Sequence, residues 1–157
     1  MFVLVAQRNG LIKLNLQKRM NHYIVMFIIM ILSGSLSTMS VWADKISDIR
    51  FSVNDAYMIL LMSGWMILFM GIYYNDKLPS IIGAALVIII FFAIRNQLFV
   101  TENQYLQGMI PHHSMAVLMS RNLLQKGTRY KEFVQNIIDT QEKEINYMKS
   151  FKKLNNE

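Results

Sequence analysis

Three long runs without a charged residue constrain this chain more than any other feature. They extend from Tyr23 to Trp42, from Ala56 to Tyr74 and from Pro79 to Ile94. A bilayer's hydrocarbon core, about 30 Å thick, is crossed by roughly 20 helical residues rising about 1.5 Å each. The first two runs have that length, and the third reaches it if extended through Asn96 and Gln97 towards Phe99. Backbone N–H and C=O groups find no partners in lipid, so each run is expected to be a helix. The length of the first run, and the two runs that follow it, favour a retained span over a cleaved leader. The expected organisation is a basic tail at 1–22, a three-helix transmembrane region at 23–99 (spans near 23–42, 56–74 and 79–97), and a helical domain at 100–157.

Composition supports this reading. Apolar residues make up 54% of the chain and charged residues 17%, against about 25% charged in an ordinary soluble domain. The absence of Cys excludes a disulfide scaffold, a thiolate zinc site and a Cys nucleophile. The net charge of +6 owes much to Arg8, Lys13, Lys18 and Arg19, which no acid accompanies in the first 22 residues. Basic residues are not interleaved densely with aromatics anywhere, so no nucleic-acid partner is expected. Five Lys/Arg near the span ends fall on the N-terminal side and three (Lys45, Arg50, Arg95) on the other. That bias predicts a cytoplasmic N-terminus and an extracytoplasmic C-terminal domain. Met20 opens the run MNHYIVMFIIMIL and reads as an alternative start, which would remove most of the tail's orienting charge.

The runs contain no Asp, Glu, Lys, Arg or His. Intramembrane ionisable groups mark proton relays and ion paths, so a pump or secondary transporter is disfavoured. Gly34 and Thr38 form a small-xxx-small pair suited to close helix contact. Met58, Met62, Met66 and Met70 recur every four residues along one slowly drifting face. Thioethers can bind Cu(I), but packing against lipid and neighbouring helices is the preferred reading of that row.

Beyond the third run the pattern changes to a helical hairpin. Thr101 to Gln104 has the form of a capping box, predicting a helix to about Lys126 with Gly127 as its stop. Thr128 can cap a second helix from about Arg129 to Phe151, antiparallel to the first. Met109, His112, His113, Ala116, Met119 (with Ser120) and Leu123 share one face of the first helix. On the second, the stripe of Val134, Ile137, Ile138, Ile145, Met148 and Phe151 is interrupted by Gln141 and Glu144. Buried polar groups without partners cost roughly 1–3 kcal/mol, so these should meet one another, water or a metal. Turning the chain at Gly127–Thr128 sets His112 level with Lys143 and His113 with Glu142, flanked by Gln141 and Glu144. Pro111 removes one helical hydrogen bond, to the Gln107 carbonyl, directly before the His pair.

Two segments, MIPHHSMAVLM at Met109–Met119 and QEKEINYM at Gln141–Met148, resemble the bacterial family labelled domain of unknown function 305. The family signature is M-I-x-H-H-x-x-A-x-x-M followed by Q-x-x-E-I-x-x-M. The resemblance covers about residues 100–152, and the layout is similar to a membrane-anchored branch with three N-terminal spans. It implies a ferritin-like four-helix bundle and an association with copper and other heavy metals outside the cytoplasm, in a bacterial inner membrane. Many soluble relatives carry the motif unit twice; this chain carries it once. A lone hairpin cannot cover its apolar stripe, so a homodimer of two hairpins is expected.

The resulting expectation is an all-α, membrane-anchored protein that binds a copper ion, with the lipid bilayer, a second copy and a metal-handling protein as partners. His112 and His113 are the expected ligands, with Met109, Met119 and Met148 as thioether candidates, because copper favours nitrogen and sulfur donors. Glu144 is a ligand or orients a His, and Gln141 supports the site from further out. The alternative is a non-catalytic interaction protein whose polar cluster only specifies the bundle. An enzyme is not expected: no Glu stands three residues before either His, as di-iron sites require, and no H-E-x-x-H or G-x-S-x-G occurs.

Overall fold

The computed structural model describes residues 2–154, with side chains described at position 17 and from 20 to 151. The described residues form five α-helices and two short 3-10 turns, so the fold is all-α. The helices are α1 (Phe2–Leu36), α2 (Val53–Tyr73), α3 (Lys77–Arg95), α4 (Glu102–Lys126) and α5 (Lys131–Leu154); the turns, Met39–Trp42 and Ile46–Asp48, lie between α1 and α2. The cations of the basic tail, Arg8, Lys13, Lys18 and Arg19, lie outside the described side chains.

Three segments are long and apolar enough to cross a membrane: Met20–Trp42, Val53–Tyr73 and Lys77–Arg95. Their outer faces are bare of protein, with Leu32, Phe69 and Ile89 all exposed. The helices pack through small residues. A Cβ on Gly34 of α1 would lie 3.0 Å from Ile59 of α2, and one on Gly83 of α3 would lie 2.4 Å from the Leu68 backbone nitrogen of α2. Ser63 is fully buried among them and donates within its own helix to the Ile59 carbonyl, 2.8 Å away, which satisfies its hydroxyl without a partner helix.

Helix ends follow from local chemistry. Ser52 and Asp55 form a reciprocal capping box at the start of α2. At its other end α3 stops at Arg95 instead of continuing to Phe99. Asn96 donates to the Phe92 carbonyl (2.8 Å) and Gln97 to the Ile94 carbonyl (2.7 Å), and such side-chain bonds compete with helix continuation. Gln97 and Phe99 then take positive φ, 48° and 57°. Thr101 caps α4 by accepting from the Gln104 N–H at 3.4 Å. The other half of the expected capping box is diverted, since the Gln104 side chain accepts from the Val53 N–H at 2.9 Å. Gln104 thereby satisfies a free donor at the start of α2. Gln104→Ala is expected to lower stability by about 1 kcal/mol, read as an earlier thermal transition of the full chain in detergent. α4 runs on through Pro111 and ends at Gly127, whose φ is 84°.

Three apolar helices place the α1–α2 loop and the α4–α5 hairpin at one end of the helices and the α2–α3 turn at the other. At the turn end the Tyr23 hydroxyl donates to Asp76 (3.1 Å). At the hairpin end the Asp44 N–H donates to Ser114 of α4 (2.9 Å).

Candidate metal site on the helical hairpin

The hairpin's core is Ile110 and Val117 of α4 against Ile138, Ile145 and Met148 of α5, with Leu106, Met109 and Leu124 packed beside them. The face α4 buries is therefore Ile110, Ser114, Val117 and Ser120. Of the expected stripe of Met109, His112, His113, Ala116, Met119 (with Ser120) and Leu123, Ser120 is buried, but His112, Met119 and Leu123 are exposed. The displacement has a cause: the α1–α2 loop lies over the hairpin and covers the Ser114 side.

That covered flank is a charged clasp. Buried Asp48 accepts from the Ser114 hydroxyl (2.7 Å) and pairs with Lys149. Arg121 bridges Asp44 of the loop (2.7 Å) and Glu142 of α5 (2.6 Å), and Glu142 also receives Lys45 (3.1 Å). Three carboxylates thus meet three cations around a cleft of about 240 Å³. Burial pushes the Asp48 carboxyl up, but hydrogen bonds from Lys149, Ser114 and Ser47, together with the Lys149 charge, hold it below its ordinary value. The sequence reading did not find this clasp. Its signal was the seven-residue spacing of Ser114 and Arg121 on α4 and of Glu142 and Lys149 on α5, each pair sharing one helix face.

The His pair lies on the other flank. Glu144 is about 200° around the helix from Glu142, and it meets His113 instead of the loop. The His113 Nε2 is 3.0 Å from a Glu144 carboxylate oxygen, with the His113 side chain 13% exposed and that of Glu144 50%. The His113 Nδ1 is 2.8 Å from the Met109 carbonyl, one turn back. His112 is exposed, its ring 6.0 Å from that of His113 and nearly perpendicular to it. Glu144, expected to bind or orient a His, thus faces His113, although the hairpin arithmetic sets Glu142 level with it.

The remaining expected site residues are spread around this pair. Met109 is half-buried against the core, and its carbonyl holds the His113 ring. Met119 lies two turns beyond His112 on the same side of α4 and is exposed. Gln141 is half-buried one turn before Glu144, while Met148 is buried in the hairpin core. Among the described residues, no group of three or more His, Asp or Glu is placed to hold an ion.

Residues 94–152, spanning this hairpin, match the family described as Domain of unknown function (DUF305). The chain belongs to that family. It is also 46% identical over 134 residues to an uncharacterized protein of Acanthamoeba polyphaga mimivirus, an alignment covering 81% of this chain and 88% of that one. That alignment is longer than the hairpin region and so reaches into the apolar helices. The relative is viral, and the bacterial setting implied by the resemblance has no counterpart in it. No solved structure matches the chain.

Proposed function

We propose that the chain is a membrane-anchored metal-binding protein, with copper or another heavy-metal ion held at the His112–His113 flank of a hairpin dimer outside the cytoplasm. The observation that carries this is the setting of His113. Its Nδ1 lies against a backbone carbonyl and its Nε2 faces Glu144. A hydrogen bond at one ring nitrogen fixes which nitrogen is free to bind a metal. A histidine nitrogen and a carboxylate oxygen on one ion, each bonded at about 2.1 Å, stand about 3 Å apart when the angle is near 90°. The 3.0 Å separation of His113 and Glu144 fits that requirement. Cu(I) would draw instead on imidazole and thioether, with Glu144 orienting the ring. One hairpin offers too few donors on this flank, and a second copy would bring another His112 and Met119 to it.

The test is a titration of the full chain in detergent with Cu(I) against a competing chelator. His112→Ala/His113→Ala is expected to abolish binding, and Glu144→Gln to weaken it by about 10- to 100-fold. A folded protein that binds no copper, or a double variant that binds as tightly as the parent, would sink the proposal.

One observation favours a second reading. Both His113 ring nitrogens already face oxygen atoms within the hairpin, so the pair can serve solely to set the register of α4 against α5. His113→Ala would then lower the hairpin's stability without changing any metal response.

A further inference from the structure

The α1–α2 loop has two unlike sides. One side carries Asp44, Ser47 and Asp48 and is engaged by the hairpin. The side chains the hairpin leaves bare include Val41, Trp42, Ile46, Ile49 and Phe51, all exposed, with Ile46 at 88%. Nothing in the loop's own packing calls for this bare surface, because Ser40 and Arg50 already close the loop. The Ser40 hydroxyl donates to the Arg50 carbonyl (2.5 Å) and accepts from the Arg50 N–H (3.1 Å). Five exposed apolar side chains on so short a closed loop mark a contact.

We propose that this surface seats the hairpin on the bilayer: the loop's apolar side lies in the lipid headgroup–acyl boundary while its polar side grips the hairpin. The proposal rests on reading the three apolar helices as membrane spans. Lipid is the occupant because of where the loop is anchored. The first apolar segment ends at Trp42 and the next begins at Val53, so both ends of the loop leave the membrane surface. Its composition is interfacial, with Trp42 and Phe51 beside Arg50. The α3–α4 connection, at the same end of the helices, exposes Phe99 at 85%, and the Tyr57 hydroxyl holds that connection to α2 through the Leu98 carbonyl. Two connections that leave the helices at one level thus each turn an aromatic outward, as a shared lipid interface requires and a single protein partner does not. The clasp then fixes the His113–Glu144 flank at a set height above the bilayer.

The chain has no Cys, so single labels can be placed without altering a background. Ile46→Cys, Asn136→Cys on the exposed face of α5 and Ile89→Cys in the third span would each carry a nitroxide, with the full chain in phosphatidylcholine–phosphatidylglycerol vesicles. Collision with oxygen, which partitions into lipid, is compared with collision with a water-soluble nickel chelate. The Ile46 label is expected to favour oxygen several-fold more than the Asn136 label and less than the Ile89 label. A ratio equal to that at Asn136 would place the loop in water and overturn the proposal. Shielding from both reagents would mean that a second copy or another protein covers the surface, and would overturn it equally. Nickel access at Ile89 would instead remove the membrane-span reading, and the seat with it. Trp42 emission in a Trp65→Phe background gives a label-free check: bromine on the lipid chains should quench it and aqueous iodide should not.

Discussion

Lys149→Ala is expected to destabilise the contact between the α1–α2 loop and the hairpin by about 3 kcal/mol, the lower end for removing one partner of a buried ion pair. The Asp48 side chain is 2% exposed and that of Lys149 29%, so deletion of the ammonium strands a carboxylate that water cannot reach. The hydroxyls of Ser114 and Ser47 still face it, which is why the loss falls at the lower end of the range. Hydrogen exchange is the measurement, because the apolar helices can stay folded while the loop lifts. At about 1.4 kcal/mol per tenfold change, protection of the Asp44 and Asp48 amides should fall by roughly 100-fold, with little change in the middle of α3. Undiminished protection would show that the clasp does not hold the loop. Because the Asp48 pKa is lowered in the folded chain, its contribution is present at neutral pH and fades as pH falls through that lowered value, below the ordinary carboxylate range near 4. Parent and variant should therefore converge in strong acid. Asp48→Leu/Lys149→Met should recover much of the loss, since a matched apolar pair removes the stranded charge.

This clasp also shows what the sequence could not yield. The apolar runs were legible because an uncharged stretch long enough to cross lipid can pair its backbone there only as helix. The hairpin was legible because Thr101 and Gly127 carry their own local chemistry. The buried face of α4 was not. Periodicity treats Ser114 as a surface residue, yet it is fully buried, because its acceptor is Asp48, 66 residues away. Once that serine belongs to the interior, the face turns by about one residue and leaves His112, Met119 and Leu123 outside. The meeting of His113 with Glu144 survived that rotation because either residue could reach the seam from the flank. Met148 did not join them at the surface, since Ile110, Ile138 and Ile145 draw it into the core. Diversion of Gln104 from its capping box to Val53 is the same kind of failure: a local motif was redirected by a partner distant in sequence.

The largest effect inside the apolar helices is expected at Gly83. Of the small-xxx-small pair, Gly34 does meet Ile59 of α2 closely, but α1 ends at Leu36 and Thr38 lies beyond it. The tight crossing is between α2 and α3. A Cβ at Gly83 would stand 2.4 Å from the Leu68 nitrogen and 2.7 Å from its Cα, and one at Gly71 would stand 2.6 Å from the Ser80 nitrogen. These neighbours are backbone atoms and cannot rotate away, so the helices must separate. Overpacking of a close interface costs about 1–3 kcal/mol, and Gly83→Ala should reach the upper end, about 3. Gly108→Ala is the contrasting case. Its Cβ would meet side-chain atoms alone, the Ser52 hydroxyl at 3.3 Å and the Ser52 Cβ and Asn54 amide further off, and Ala is favoured over Gly in a helix by up to about 1 kcal/mol, so that change should be close to neutral. Unfolding of the full chain in mixed micelles separates the two: Gly83→Ala should lower the midpoint clearly and Gly108→Ala should not. Equal midpoints would mean that α2 and α3 do not approach as closely as their glycines allow. Because His113 and Glu144 lie beyond this crossing, whatever copper affinity the parent shows under the proposed function should be matched per folded Gly83→Ala molecule. A loss of affinity there would instead tie the hairpin's flank to the spacing of the helices beneath it.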